Sequence, residues 1–257
     1  MNKELENKIK EDIKKSGFPL EIESSLILNK KGWSVVNSSR YYNENKKDYS
    51  EIDIVATKEH EIKGIKNILI IECKKFHEGQ WVFFKQEISK PNVYNLNIVE
   101  NGRNISSYSW FDKNLMANHH YLKNPICTYS IVPHTKGKGE VNEKKQKMIY
   151  DAVSQVVEAL MFYLIRDNKM LNQNNINEIY LVYPVIVFDG PLFSASVKEG
   201  DIELKEENHI QLLFSLQLNN PFQIQWDYKS RKVIKQKNII IDIVKKEYFE
   251  EYLKNFN

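Results

Sequence analysis

Asp53 and the tripeptide Glu72-Cys73-Lys74 are the residues of this sequence best placed to do chemistry. Asp53 lies in Ser50-Glu51-Ile52-Asp53-Ile54-Val55-Ala56, and nineteen residues later Glu72-Cys73-Lys74 closes the run ILIIECK. Along an extended chain alternate side chains share a face, so Glu72 and Lys74 point one way and Cys73 the other. A carboxylate and an ammonium thus emerge together at the end of an apolar strand, and a neighbouring strand can bring Asp53 alongside. Two carboxylates on adjacent strands make an all-oxygen site of the kind Mg²⁺ prefers, with water and phosphate oxygens filling the other positions. The plainer reading of the same trio is a salt-bridge cluster at a strand end. Against it, buried apolar strands rarely end in charged residues on a shared face without a partner.

These residues need strands to carry them and helices to cover the strands. Residues 1–16 carry Leu5, Ile9 and Ile13 at helical spacing and stop at Ser16-Gly17. Pro19 suits the first turn of a second helix running to about Lys30, with Gly32 as its stop. Strands are expected from Trp33, over Ile52–Thr57 and over Ile68–Cys73, with a polar turn over 40–49. Residues 80–125 show no clean period, and short helices are expected around 107–122. A strand follows at 126–132. The stripe Ile149, Val153, Val156, Val157, Leu160, Met161, Leu164 predicts a long helix over about 142–168. Strands are expected at 179–188, 192–197, 209–216, 222–228 and 232–243, then a closing helix at 245–254. The fold class is α/β with a mixed α+β sheet. Residues 1–190 form the core, with an irregular insertion at about 80–125. Residues 191–257 form a β-rich extension and closing helix packed on the same domain.

Composition excludes several classes. The 257 residues are 42% hydrophobic and 28% charged, an ordinary globular balance. Nine Gly and seven Pro exclude a collagenous or linker-dominated chain. A net charge of +3 does not by itself argue for a nucleic-acid partner. No apolar run approaches the ~18 residues of a membrane span, and the charged opening MNKELENKIKEDIKK is no secretory signal. Two cysteines make no disulfide framework. The expected location is the cytoplasm, with no membrane partner.

The trio, with its surroundings, resembles the PD-(D/E)xK nuclease superfamily, which includes many restriction endonucleases, archaeal Holliday-junction resolvases and Mrr-type enzymes. That family's core runs helix, three strands, helix, strand, with an acid on the second strand and Glu-x-Lys on the third. Gly17-Phe18-Pro19-Leu20-Glu21, followed by SLILNKKGWSVV, resembles the opening helix and first strand of the Mrr-like and resolvase-like branches. The resemblance covers residues 17–75 and extends loosely to about 190. It implies a restriction-endonuclease-like αβββαβ core and a metal-dependent endonuclease. Asp53 and Glu72 would hold Mg²⁺, or Mn²⁺ in its place, with the backbone carbonyl of Cys73. Glu21 would act directly or through water, and Lys74 would orient the attacking water. DNA is expected ahead of RNA as substrate, with a role in restriction, anti-phage defence or repair, a homodimer and partner subunits of a defence system among its assemblies. The sequence departs from the family in lacking a Pro before Asp53. Glu51 shares the face of Asp53 and is a second acid or a competitor. Glu23 is an alternative to Glu21, but two helical positions are about 200° apart, so only one can face the site.

Other signals weigh less. Cys73, on the core face, reads as a buried hydrophobe. No HExxH or spaced Cys/His pairing exists among the six histidines. His77 reads as a loop residue, Gln155 as a surface or capping residue of the long helix, Asp189 as a turn aspartate and Trp81 as core. Lys136, Lys138, Lys144, Lys145 and Lys147 form one basic cluster. Lys229, Arg231, Lys232, Lys235 and Lys237 form another. Either could meet a phosphate backbone, or simply be solvated. Two other functions compete with the nuclease. One is a catalytically inactive nuclease-fold module that binds nucleic acid or a partner, though all three motif positions are filled. The other is a structural α/β protein whose trio is a salt bridge.

Overall fold

The computed structural model describes residues 2–43, 46–85, 97–100, 103–105, 119–122, 126–131, 143–165, 179–217, 225–227, 232–234 and 236–256. Helix α1 spans Lys3–Lys15 and α2 spans Phe18–Lys30. The Asn2 side chain accepts from the Glu4 N–H to start α1, as side-chain caps do for otherwise orphaned helix donors. Pro19 opens α2, and Gly32, at φ +79, turns the chain out of it. A meander follows: β1 (Ser34–Asn43), β2 (Asp48–Glu59) and β3 (Ile65–Lys75), antiparallel in succession. Next come β4 (Trp81–Lys85), β5 (Asn97–Glu100), β6 (Arg103–Ile105) and β7 (Ile126–Ile131). Helix α3 (Glu143–Ile165) leads to β8 (Ile179–Asp189), β9 (Leu192–Lys198), β10 (Asp201–Glu206) and β11 (His209–Gln217). The chain ends with β12 (Gln225–Asp227), β13 (Lys232–Ile234), β14 (Gln236–Lys245) and short helical turns over Lys246–Tyr248, Phe249–Tyr252 and Leu253–Phe256.

The architecture is mixed α/β. The main sheet runs β1-β2-β3-β8-β14-β11-β7-β4-β9-β10, with β5 and β6 attached beside β8, and β12–β13 form a separate hairpin. β3 and β8 pair in parallel along their whole length, from Ile65↔Ile179 to Lys75↔Asp189. β14 pairs in parallel with the second half of β8, so the C-terminal strands share the sheet with β1–β3. On that side β5 takes residues 179–182 of β8 and β14 takes 185–188, so Pro184 falls between the two partners. A residue without an N–H is tolerated where no ladder bond is asked of it.

Each face of the sheet is covered. Ile149, Val153, Val156 and Leu160 of α3 pack with Ile68, Ile70, Val182 and Ile186 on one face. Leu20 and Leu28 of α2, with Phe249, Tyr252 and Phe256, pack with Ile54, Leu69, Ile71 and Tyr183 on the other. These are the alternating positions of β3, as strand geometry requires.

Three expectations differ from the fold. The polar stretch 40–49 is not simply a turn, because the β1–β2 hairpin stays paired out to Asn43↔Asp48. Tyr41 buries its ring against Phe162 of α3 there, which outweighs the polar local sequence. The edge strand β10 has an exposed side chain at every position, so no burial pattern marks it. The closing helix is a chain of short helical turns. Apart from a single 3₁₀ turn at His120–Leu122, the helices expected around 107–122 lie outside the described residues. No described helix is long and apolar enough to cross a membrane.

Candidate active site

The β2–β3 ladder ends at Ile54↔Ile71. One step further, the Cys73 N–H donates to Asp53 Oδ2 at 2.7 Å. The strands part here, and the Asp53 carboxylate takes up a main-chain donor that the ladder no longer uses. Glu72 and Lys74, two residues apart on β3, face α3. Lys74 Nζ lies 2.6 Å from Glu72 Oε1 and donates to Gln155 Oε1 of α3 at 3.0 Å. Cys73 turns to the opposite face, buried beside Ser24 of α2. The phase read from the sequence is the phase of the strand.

Gln155 belongs to this cluster and is not a surface or cap residue. Its helical neighbours Ala152 and Ala159 are fully buried, and their small side chains allow the close approach of α3 that lets an amide meet Lys74. The Tyr41 O–H donates to the Gln155 carbonyl at 3.4 Å, and Asn43 Nδ2 donates to Glu158 Oε2 at 2.6 Å. The far end of the hairpin is thereby tied to the helix that carries Gln155. Burial, then the nearby Glu158 carboxylate, pushes the Tyr41 phenol up to about 12.

Glu21, rather than Glu23, turns to the site. Glu23 pairs with Lys246 at 2.5 Å. Glu21 has its carboxyl raised above the ordinary range by burial, then by the charges of Asp53 and Glu51. Burial likewise raises Asp53, against the pull of the Cys73 N–H. Glu51 is exposed, 3.8 Å from Arg40, and acts on the other acids from the rim.

Glu72 carries the tension of the site. Its side chain is 2% exposed, against 24% for Lys74. Burial, then the charge of Asp53, pushes its carboxyl up to about 7, with Lys74 pulling the other way. Its Oε2 is buried without a hydrogen-bond partner. A buried oxygen without a donor carries a desolvation cost of ≈ 1–3 kcal/mol or more.

That cost has a measurable consequence. A carboxyl whose folded pKa is raised binds its proton more tightly in the folded state. Stability is therefore lost as the pH climbs from the ordinary 4.5 through about 7. Glu72→Gln removes the ionisation and is expected to be more stable than wild type at pH 8 by up to about 3 kcal/mol. The gap should close towards pH 4.5. Urea unfolding of both proteins at several pH values measures it, and equal stability throughout would remove the buried charge from the account.

The remaining sequence signals fall outside this cluster. His77 Nε2 and Asp189 Oδ1 are 3.2 Å apart at the end of β8. Trp81 is core, stacked on Phe188 at 4.1 Å. At Gly190 a Cβ would lie 2.2 Å from the Phe76 carbonyl, so only glycine lets the chain turn this close to the end of β3. Lys136, Lys138, Lys229, Arg231 and Lys235 lie outside the described residues. Lys144 and Lys145 sit in α3, Lys232 on β13 and Lys237 on β14, with side chains that are likewise outside the description. Lys147 is exposed on α3.

A second polar cluster has no motif in the sequence. Asp242, fully buried in β14, accepts four hydrogen bonds. His209 Nε2 (2.8 Å) and Gln211 Nε2 (3.1 Å) reach Oδ1. His120 Nε2 (3.1 Å) and the Tyr252 O–H (2.7 Å) reach Oδ2. His119, beside it, meets Tyr183 Oη at 3.1 Å. The adjacent histidines thus serve the core. Complete burial pushes the Asp242 carboxyl up, but His120 and His209 overcome this and hold it well below the usual carboxylate range.

Among the described residues no three His, Cys, Asp or Glu side chains stand close enough to form a ready-made metal cage. Mg²⁺ is commonly held by one or two carboxylates, with waters and substrate phosphates completing the shell. Asp53 and Glu72, with Glu21 beside them, are the residues that could hold it. No protein-family model, curated protein or solved structure matches the chain.

Proposed function

We propose that this chain is a metal-dependent nuclease of the PD-(D/E)xK type, hydrolysing phosphodiester bonds in DNA ahead of RNA. A place in restriction, anti-phage defence or repair goes with that reading. The observation that carries it is the gathering of Asp53, Glu72 and Lys74 where β2 and β3 part, with Glu72 Oε2 buried and unpartnered. A hard divalent cation suits that donor set: carboxylate oxygens, one orphaned, with pKa values raised by burial and mutual repulsion. The element order supports the same reading. Helix α2, the meander β1–β2–β3, helix α3 and β8 parallel to β3 correspond to an αβββαβ core.

In this reading Asp53, Glu72 and the backbone carbonyl of Cys73 would hold Mg²⁺ or Mn²⁺, and Glu21 would act on it directly or through water. When bound, the cation makes water nucleophilic at neutral pH and neutralises charge on the phosphate. An ammonium has three N–H donors, and Lys74 spends two on Glu72 and Gln155. The third is left for the attacking water or a phosphate oxygen. Gln155 fixes the Lys74 rotamer, and the Cys73 N–H fixes the Asp53 carboxylate.

The test is cleavage of double-stranded, single-stranded and branched DNA and of RNA, with Mg²⁺, Mn²⁺ or EDTA. Metal binding by calorimetry, wild type against Asp53→Asn, runs beside it. Metal-dependent cutting, with both cutting and binding lost in the variant, is expected. Metal binding without cutting would favour the inactive binding module. Neither metal binding nor cutting would leave the trio as a salt bridge.

A further inference from the structure

The β1–β2 hairpin changes sides once along its length. Val35 and Asn37 of β1 turn to α2: Val35 packs on the α2-side core, and the Ser25 O–H donates to Asn37 Oδ1 at 2.6 Å. Ser39 and Tyr41 turn to α3 instead. The hydroxyls of Ser39 and Tyr163 are 3.0 Å apart, and Tyr41 lies in the α3-side core. A regular strand would set all four on one face. β2 does the same, with Ile54 and Ala56 on the α2 side and Ile52 on the α3 side. The register does not slip, since Asn37↔Ile54 and Ser39↔Ile52 both hold. The reversal therefore falls on Ser38 and Asp53, the two positions that the pairing skips. Ser38 has φ +50, a left-handed value that is costly for a residue with a Cβ. Asn37, anchored to α2, and Ser39, anchored to α3, hold it there, as a strained backbone requires of its surroundings.

The reversal decides where Asp53 points. In step with Ile54 its side chain would face α3, and in step with Ile52 it would face α2. It does neither. Its Oδ2 accepts the Cys73 N–H at 2.7 Å, and main-chain N–H groups between strands lie in the plane of the sheet. The carboxylate thus lies in that plane. From there its charge acts on Glu21, which comes from the α2 side, and on Glu72, which comes from the α3 side. We propose that Ser38 is a positioning residue of the site: its left-handed backbone turns β2 over at Asp53 and holds that carboxylate in the plane of the sheet, where acids from the two faces meet. The backbone, and not the exposed hydroxyl, carries the role. What this does for a metal rests on the nuclease reading; where the carboxylate lies does not.

The chain has two cysteines, so isotope-labelled cysteine gives one amide signal for Cys73 and one for Cys127. Hydrogen exchange at Cys73 reads the bond to Asp53, and exchange at Cys127, buried on β7, reads the stability of the fold. Asp53→Ala sets the rate for a lost bond. Ser38→Val and Ser38→Thr, whose branched side chains do not suit this φ, should reach that rate at Cys73 with Cys127 unchanged. Threonine retains the hydroxyl, and it stands in for valine should that chain not fold. Ser38→Gly and Ser38→Asn, which accept φ +50, should match wild type. Mn²⁺ affinity, measured by calorimetry, should fall by ~10–100-fold in the branched variants, the usual effect of losing an outer-shell support. Wild-type exchange in the branched variants overturns the proposal, as does a loss shared by Ser38→Gly or equal at Cys127. A wild type whose Cys73 exchanges as fast as in Asp53→Ala overturns it too. A wild type that binds no Mn²⁺ sinks the nuclease reading alone, and exchange at Cys73 still decides the role of Ser38.

Discussion

Lys74→Ala is expected to lower metal-dependent cleavage by about 10³-fold while leaving the fold and nucleic-acid binding in place. Removing one preorganised donor from a developing charge costs about 10²–10³ in rate, and in the proposed nuclease reading this ammonium would also orient the attacking water. Its structural contacts are few: Glu72 Oε1 at 2.6 Å and Gln155 Oε1 at 3.0 Å. The stem is partly solvent-exposed, so truncation opens no sealed cavity. The variant does leave Glu72 without its counter-charge. The Glu72 carboxyl, already pushed up to about 7 with Lys74 pulling it down, should therefore rise further. Single-turnover cleavage, thermal unfolding and nucleic-acid binding of the variant check the three parts. A rate within tenfold of wild type, in a folded variant, would take Lys74 out of the site.

The largest stability effect belongs elsewhere, at Asp242. Asp242→Ala strips the acceptor from His120, His209, Gln211 and Tyr252 at once. Breaking a buried charged network by deleting one partner costs about 3–5 kcal/mol. That is a large part of the 5–15 kcal/mol by which domains are usually stable. The sign of the pH effect is opposite to that at Glu72. A carboxyl held below its ordinary value contributes stability that is fully present above about pH 4, the unfolded value, and is lost as the pH falls below it. Wild type and Asp242→Ala should therefore differ most at neutral pH and converge in acid. Urea unfolding at pH 7 and pH 3 measures both, and a neutral-pH difference under 1 kcal/mol would show that the network is not holding these segments.

The two clusters differ in how far the sequence reveals them. Asp53, Glu72 and Lys74 are legible because strand alternation is local, and a charge at the end of ILIIECK has few places to go. The fold phases β3 as that alternation predicts, with Cys73 on the far side. Gln155 was not legible as a partner of Lys74, since which residue of α3 meets β3 is decided by packing. Its one local sign is buried alanine at the neighbouring helical positions 152 and 159. The Asp242 cluster draws on positions 120, 209, 211, 242 and 252, which no window spans. Its sign is a lone acid inside the apolar run NIIIDIV, where an unpaired charge is too costly to keep. Tyr41 and Asn43 were hidden in a polar stretch whose pairing depends on α3.

The placement of β14 bears on how the chain reaches this fold. The last strand of the sequence lies in the interior of the sheet, between β8 and β11. Until Gln236–Lys245 has emerged from the ribosome, β1-β2-β3-β8 and β11-β7-β4-β9-β10 are two blocks with open inner edges. Those edges carry apolar strands of the sort that pair with other chains when left uncovered. Sheet closure therefore waits on β14. It also rests on contacts distant in sequence, such as β3 with β8 more than a hundred residues on, and such contacts make for slow folding. The nascent protein has an interval in which a chaperone, or a short β14 peptide supplied in trans, would find the seam open.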